Sequence, residues 1–248
     1  MAELTKKLQV KVSGTTTPCK IYSTSAEAGT SYVRAKVDNV EAYIPLVDAS
    51  DGRASKVHIG SKCIATTGKP PYTEKSWTTA GTYTWTCPVG ITRIRAAVCG
   101  GGGGGARNEG TGGSGGTSFI KNNTVSIIQA TGGSGGKVVY YEGLEPHQAA
   151  GGTPNGRAGT TSTSSASNGG TGFALSFTLT NGTYGQGGGT EGGRAVTSGG
   201  GSGGYNSGYI SVSSNTVYTI TVGAGGSKAN RGYNGNSGFV LIAFGGDI

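Results

Sequence analysis

The chain has 248 residues, a formal net charge of +8 and 51 glycines, which is about three times the glycine share of an ordinary soluble protein. Hydrophobic residues make up 33% and charged residues 13%, and the apolar residues gather into strand-like runs, which argues against a disordered chain. The Lys and Arg residues form no run and no stripe with interleaved aromatics, so the sequence does not favour a nucleic-acid binder.

Residues 1–70 predict a small all-β module. Leu8, Val10 and Val12 alternate with polar residues, as a half-buried strand requires. Further strands are expected at 33–37, 42–47, 57–59 and 63–65. The Gly- and Pro-containing segment 66–71 marks the boundary of this module, and we assign 71–75 as a linker.

Residues 76–248 predict a second, glycine-rich β domain, because 46 of the 51 glycines lie there and 5 lie before it. Tyr83 and Trp85 share one face of a first strand, and Ile94 and Val98 share one face of the next. Tyr83, Trp85, Tyr218, Phe239 and Phe244 are expected in the core. Further strands are predicted at 124–130, 137–141, 173–179, 209–212, 217–222 and 239–244.

Glycine tracts separate these strands. In the tract 110–116, Gly110, Gly113 and Gly116 recur every third residue, and similar tracts return at 132–136 and 199–204. A left-handed extended helix with three residues per turn would place every third residue on one edge, where glycine permits close backbone approach. We therefore expect packed polyglycine II helices; flexible linkers are the alternative.

Motifs of catalysis and cofactor binding are weak. Gly110–Gly115 satisfies GxGxxG, but chance supplies that match in so glycine-rich a chain. The cysteines form no CxxC pair, so we expect no metal and no cofactor, and free buried thiols at Cys19, Cys63, Cys87 and Cys99. Glu142 and Glu145 are the one tempting carboxylate pair, and we interpret them as solvated loop residues of a protein that is not an enzyme.

The remaining aromatic and basic residues suggest a recognition surface. Exposed loops are expected near 106–111, 142–170, 186–198 and 227–236. Tyrosine offers a large rigid face and a hydroxyl at small entropic cost, and arginine offers a planar fork for anions. The candidate receptor-binding residues are Tyr140, Tyr141, His147, Arg157, Tyr184, Arg194, Tyr205, Arg231 and Tyr233.

Two segments carry a family resemblance. Residues 81–94, followed by a strand and a polyglycine run, resemble the opening of the glycine-rich domain of bacteriophage and prophage tail proteins. Residues 218–226 with 239–244 resemble its closing strands, and 4–65 resemble a module often joined to it. The alternation of tracts and loops is more distantly similar to tip adhesins of large contractile-tailed phages, which implies a polyglycine stack displaying receptor-binding loops at one end.

The resemblance predicts a tail fibre or tail-tip adhesin that recognises a glycan or an envelope protein on a bacterial surface. The first module would join other tail or fibre proteins, with a homotrimer left open. A polar start and no apolar run of roughly 18 residues predict synthesis in the host cytoplasm, no membrane insertion and a place in the virion. The alternatives are a purely structural virion protein, a glycan hydrolase and an ice-binding protein.

Overall fold

The computed structural model describes six strands within residues 8–65 and then residues 72–140, 143–178, 180–192 and 195–246. It divides into two compact units, one containing the chain up to Tyr72 and the other running from Thr73 to Phe244. The described residues form no helix, and therefore no helix long and apolar enough to cross a membrane is found among them. The prediction of an all-β protein is confirmed for them.

The first unit holds a hairpin and a four-stranded antiparallel sheet ordered β3-β4-β5-β6. Its turn at Asp38 and Asn39 lies outside the described residues. The six strands match the predicted ones in position, with β2 added. They are β1 (Leu8–Val12), β2 (Thr15–Cys19), β3 (Tyr32–Val37), β4 (Val40–Val47), β5 (Lys56–Ile59) and β6 (Lys62–Ala65).

The second unit holds longer strands that build a sandwich and shorter strands, of two or four residues, in the loops. The long ones are β7 (Thr73–Trp77), β8 (Gly81–Thr86), β9 (Arg93–Cys99), β12 (Ser118–Asn122), β13 (Val125–Ala130), β20 (Tyr205–Ser211), β21 (Val217–Val222) and β22 (Phe239–Phe244). The others are β10 (Ala106–Arg107), β11 (Gly110–Thr111), β14 (Lys137–Tyr140), β15 (Leu144–His147), β16 (Thr161–Ser162), β17 (Gly172–Phe173), β18 (Asn181–Gly182) and β19 (Thr197–Ser198).

Two four-stranded antiparallel sheets, ordered β13-β12-β21-β8 and β20-β9-β22-β7, enclose the main core. Residues at alternate positions supply it, as period-two patterning requires. Trp85 lies at its centre, with ring centroids 5.7 Å from Tyr218 and 5.8 Å from Phe244. These three side chains and Phe239 are buried and Tyr83 is partly buried, so the predicted core aromatics are confirmed.

Strand β22 is covered on both faces, as its unbroken apolar run predicts. Its second face joins a smaller core of Phe239, Leu241, Phe173 and Tyr205. The predicted strand at 173–179 is wrong: after β17 the chain bends through 175–178, and Leu179 lies outside the described residues. Leu175 and Phe177 still pack on this core, so their alternation reflects burial by a folded loop.

Ten glycine-rich tracts extend from the sandwich. Odd tracts lead away from it and even tracts return, because tracts 1, 3 and 9 directly follow β9, β13 and β21, while tracts 2, 8 and 10 lead into β12, β20 and β22. The tracts in chain order are 100–105, 112–116, 131–136, 149–153, 156–160, 167–170, 185–189, 199–204, 223–228 and 232–238.

Hydrogen bonding in tract 1 repeats every third residue. The N–H groups of Gly100 and Gly103 donate to tract 8, those of Gly101 and Gly104 to tract 2, and those of Gly102 and Gly105 to tract 10. The carbonyls of tract 1 accept bonds from tracts 3, 7 and 9. Tract 1 is therefore bonded to six neighbours, three antiparallel and three parallel to it.

Tract 8 is surrounded in the same way. It donates to tracts 3, 5 and 7 and accepts from tracts 1, 4 and 6. The bonds among all ten arrange them in three hexagonally packed rows: tracts 2, 3 and 4; then 9, 1, 8 and 5; then 10, 7 and 6. We call this array the glycine stack, and tracts 1 and 8 occupy its two interior positions.

Close backbone approach explains the glycine content. A Cβ added at any residue from Gly100 to Gly105 would lie 1.9–2.2 Å from a carbonyl oxygen of another tract. Ser202 is the exception in interior tract 8: it is fully buried, and its Oγ accepts a 2.7 Å hydrogen bond from the N–H of Arg157. The Ser202 hydroxyl thus takes the place of a backbone carbonyl as the acceptor for an N–H of tract 5.

Candidate functional site

The alternating directions of the tracts bring five connecting segments to the end of the glycine stack that lies away from the sandwich. We call this the distal end; it comprises the described residues of 106–111, 137–147, 161–166, 190–198 and 229–231. Two small sheets bind the segments together, ordered β10-β19-β16 and β11-β14-β15. The predicted loops at 106–111, 142–170, 186–198 and 227–236 each contribute to this end, although tracts 4, 5, 6, 7, 9 and 10 occupy parts of the last three.

Side chains and backbone cross-link the distal segments. The Oγ of Ser198 donates to the carbonyl of His147 at 2.6 Å, which joins β19 to β15. The amide of Asn230 donates to the carbonyl of Arg107 at 3.0 Å and also to that of Glu109. Asn108 and Asn230 adopt positive φ angles of 58° and 48°, a conformation that asparagine tolerates better than most residues. These turns therefore hold a fixed surface on the stack.

One ion pair lies at this end among the described residues. An Nη1–H of Arg107 donates to Glu191 at 3.4 Å, where the side chains are 12% and 48% exposed. Sequence reasoning did not single out Arg107 or Glu191 as a pair, because 84 residues separate them. The one sequence feature that could have indicated a role for Arg107 was its position, since it comes two residues after the glycine run 100–105.

Several predicted recognition residues do reach the distal end. His147 and Arg231 are exposed there, and Tyr140 is the last residue of β14. Tyr233 is 53% exposed and lies two residues into tract 10, next to the turn at 229–231. Tyr141 and Arg194 lie outside the described residues.

Three predicted recognition residues lie elsewhere. Tyr205 belongs to β20 and is 3% exposed, so the expectation that it occupies a loop with little core is wrong. Its hydroxyl donates to the carbonyl of Ser176 at 2.9 Å, and burial raises its pKa. Tyr184 is half-buried and meets Phe239 edge to face at 5.6 Å.

The side chain of Arg157 is bonded to other parts of the protein. Its guanidinium donates to the carbonyls of Thr171 at 3.2 Å and Gly172 at 3.1 Å, and it lies 4.7 Å from the centre of the Phe173 ring. These contacts fix the loop that covers the smaller core. The sequence could not reveal them, because they depend on tract 5 starting beside that loop.

Burial disfavours the thiolate form of two cysteines in the cores. Burial raises the pKa of Cys87 to about 11 and that of Cys99 to about 12. Both thiols are free and buried, as predicted, whereas Cys19 and Cys63 lie where side chains are not described. Within the described part of the chain, no group of three or more His, Cys, Asp or Glu residues could hold a metal ion.

The distal end can therefore bind through a preorganised mixed surface. It offers an imidazole and both signs of charge, with the exposed ring of Tyr233 beside it, on a backbone fixed by inter-tract hydrogen bonds. Comparison of the chain with protein-family models and with curated proteins gave no match to either.

Proposed function

We propose that this chain is a bacteriophage tail fibre or tail-tip adhesin whose distal end contacts a bacterial surface. The observation that carries the proposal is the placement of five connecting segments at one end of a rigid stack. Binding residues are disproportionately found on loops held by a rigid scaffold, because the scaffold removes the entropy of ordering them. The partner would be a surface glycan or an outer envelope protein.

In this proposal the ten tracts are polyglycine II helices. A threefold hydrogen-bond repeat, six neighbours around each interior tract and the exclusion of Cβ atoms all support that assignment. The stack would hold the loops at a distance from the virion, while residues 1–70 would join the chain to other tail proteins. This attachment role rests on the family resemblance of that module.

The contact residues we propose are His147, Arg231 and Tyr233, with Tyr140 at the end of β14 and Tyr141, which follows it in sequence. Tyr205 and Tyr184 are omitted because they pack in the smaller core, and Arg157 because its guanidinium is bonded to backbone carbonyls. Arg107 would act indirectly, by fixing the 190–198 segment through Glu191.

Labelled full-length chain binding to a panel of bacteria tests the proposal. Tyr233→Ala and Arg231→Ala together should weaken attachment to the bound strain by roughly 1–3 kcal/mol without changing thermal unfolding. Val125→Ser is the matched control, since Val125 is 65% exposed in the sandwich and should be silent. Attachment that survives the distal changes but is lost in the control would refute the distal location.

The rival of a purely structural virion protein predicts no strain-selective attachment in the same assay. The glycan hydrolase rival predicts release of oligosaccharide from bacterial envelopes, abolished by Glu145→Gln. We expect neither outcome.

A further inference from the structure

The row of tracts 6, 7 and 10 forms one outer face of the glycine stack, and these tracts contain no Lys, Arg, Asp or Glu. Tracts 7 and 10 are joined by hydrogen bonds from the N–H of Tyr233 to the carbonyl of Gly189 and from the N–H of Asn236 to that of Gln186. Tract 6 accepts a bond from tract 7 on its other side. Because the bonding repeats every third residue, each tract has three edges, and those that face no neighbouring tract point outward.

Steric contacts identify the outward edge of tract 7, the middle tract of this row. A Cβ at Gly187 would meet tract 8, and a Cβ at Gly188 would meet tract 10. The third edge, which carries Gln186 and Gly189, therefore points away from the stack. Both residues are partly exposed.

The two flanking tracts also direct side chains outward. In tract 6, a Cβ at Gly169 would meet tract 7 and one at Gly170 would meet tract 5, so Asn168 points outward, and it is exposed. In tract 10, Tyr233 and Asn236 lie on the edge that bonds tract 7, and both are exposed. We call this surface the amide face. Its outward side chains are Asn168, Gln186, Tyr233 and Asn236.

The amide face holds fixed hydrogen-bonding groups that the protein leaves unused. The backbone N–H groups of Gly169, Gln186 and Gly189 have no acceptor among the described residues. Neither do the carboxamides of Asn168 and Gln186 have a hydrogen-bond partner there. Since the backbone is held by inter-tract bonds, a ligand that uses these groups pays little to order them.

We propose that the amide face binds an uncharged oligosaccharide built of pyranose rings. A carboxamide both donates and accepts hydrogen bonds, as a sugar hydroxyl does. Asn236 donates its amide to the carbonyl of Thr183, which leaves its side-chain oxygen as an acceptor. Tyr233 is 53% exposed and offers a ring on which the C–H face of a sugar can pack.

The dimensions and the charge of the face narrow the ligand further. Tyr233 and Asn236 are one repeat apart, about 9 Å at the rise of the proposed polyglycine II helices. A ligand that touches both is therefore longer than one sugar ring. An ionised sugar would lose hydration and find no counter-charge on the face, so the uncharged ligand is favoured. The inference rests on the proposed function only for the source of the sugar, a bacterial surface glycan.

A glycine tract from a second copy of the chain is the competing occupant. Neighbouring tracts approach only where Cβ atoms are absent: a Cβ at Gly187 or Gly188 would lie 2.0 or 1.9 Å from a carbonyl oxygen of the next tract. The outward side chains of Asn168, Gln186 and Asn236 therefore exclude a further tract at that distance. A glycan can reach the same groups through hydroxyls that project from its rings.

Residue-resolved NMR titration of the full-length chain tests the inference. The probes are maltotriose, cellotriose and mannotriose, with trigalacturonate as the charged comparison. At least one neutral trisaccharide should shift the amide resonances of Gly169, Gln186 and Gly189 saturably. The resonances of Gly132 and Gly135, on the opposite outer row, should stay unchanged because that row has no carboxamide and no aromatic residue. Trigalacturonate should bind at least about fivefold more weakly.

Substitution of an outward carboxamide gives a second measurement. Gln186→Ala should reduce affinity for the bound trisaccharide about fivefold, through loss of one or two hydrogen bonds. Ser134→Ala is the matched control, because Ser134 is exposed on the opposite outer row and should be silent. Thermal unfolding of each variant establishes that it is folded, and Asn168→Ala repeats the test if Gln186→Ala fails to fold.

No saturable shift with any neutral trisaccharide, shifts confined to the opposite row, tighter binding of trigalacturonate, or unchanged affinity in the folded carboxamide variant would each overturn the inference. Attachment to bacteria is a separate readout. Distal attachment without any response to the soluble sugars would contradict this inference alone. Sugar binding at the amide face without attachment to bacteria would contradict the proposed function alone.

Discussion

Individual glycines in the stack carry a steric requirement that can be tested one residue at a time. A Cβ at Gly103 would lie 2.0 Å from the carbonyl oxygen of Ser134, and the obstacle is backbone held by its own hydrogen bonds. Gly103→Ala should therefore lower the free energy of unfolding by about 3 kcal/mol or more, the upper part of the range for overpacking. Denaturant titration measures the change.

Gly208 is the matched control. A Cβ there would meet nothing within 4 Å, and the residue lies in the edge strand β20. Gly208→Ala should leave stability unchanged or raise it by up to about 1 kcal/mol, because the unfolded chain loses freedom. Equal stability of the two variants would contradict close packing at Gly103.

The serines of the tracts illustrate what sequence cannot resolve at this scale. Ser114 and Ser134 are exposed on the outer row of the stack, whereas Ser202 is buried and bonds the N–H of Arg157. All three sit in similar Gly-Ser-Gly surroundings, so only their tract's place in the array separates them. That place is set by contacts tens of residues apart.

At the scale of elements, the stack predicts a pattern of amide exchange. Each N–H of tract 1 has a backbone acceptor, whereas in outer tract 3 the N–H groups of Gly132 and Gly135 have none among the described residues. We expect slow exchange throughout 100–105 and, in tract 3, slow exchange at Gly133, Ser134 and Gly136 beside fast exchange at Gly132 and Gly135. Residue-resolved NMR exchange rates give the comparison.

Fast exchange across all of 100–105 would contradict a packed stack and would indicate that the tracts are flexible linkers. A uniform rate in tract 3 would contradict its outer position.

Strands were the most predictable elements. Period-two alternation located β1, β9 and β21, and an unbroken apolar run located β22, since burial of one face or of both faces sets these two patterns directly. The same signal failed at 173–179, where a bent loop buries alternate residues against the smaller core. Strand β12 was missed because Ser118–Asn122 contains two polar residues after a short apolar pair and follows a glycine tract.

At the scale of the whole molecule, the all-β class followed from the patterning of apolar residues, and the glycine-rich second part followed from composition. The candidate site was predictable in part: loop sequences indicated His147, Arg231 and Tyr233, which are exposed. Tyr205 and Arg157 could not be distinguished from these residues in sequence. Tyr205 nevertheless packs in the smaller core, and Arg157 lies against the Phe173 ring of that core. Which tract ends face outward depends on the alternating path of ten tracts, and no local pattern encodes it.

The central claim, that the distal end meets the bacterial surface, is tested most directly by position-specific photo-crosslinking on intact cells. A photoreactive phenylalanine analogue would replace Tyr233 near the distal end or Val125 in the sandwich, and each full-length chain would be irradiated on the strain it binds best. The account predicts cross-links to a cell-surface component from position 233 and none from position 125. Cross-links from position 125 alone, or equally from both positions, would contradict it.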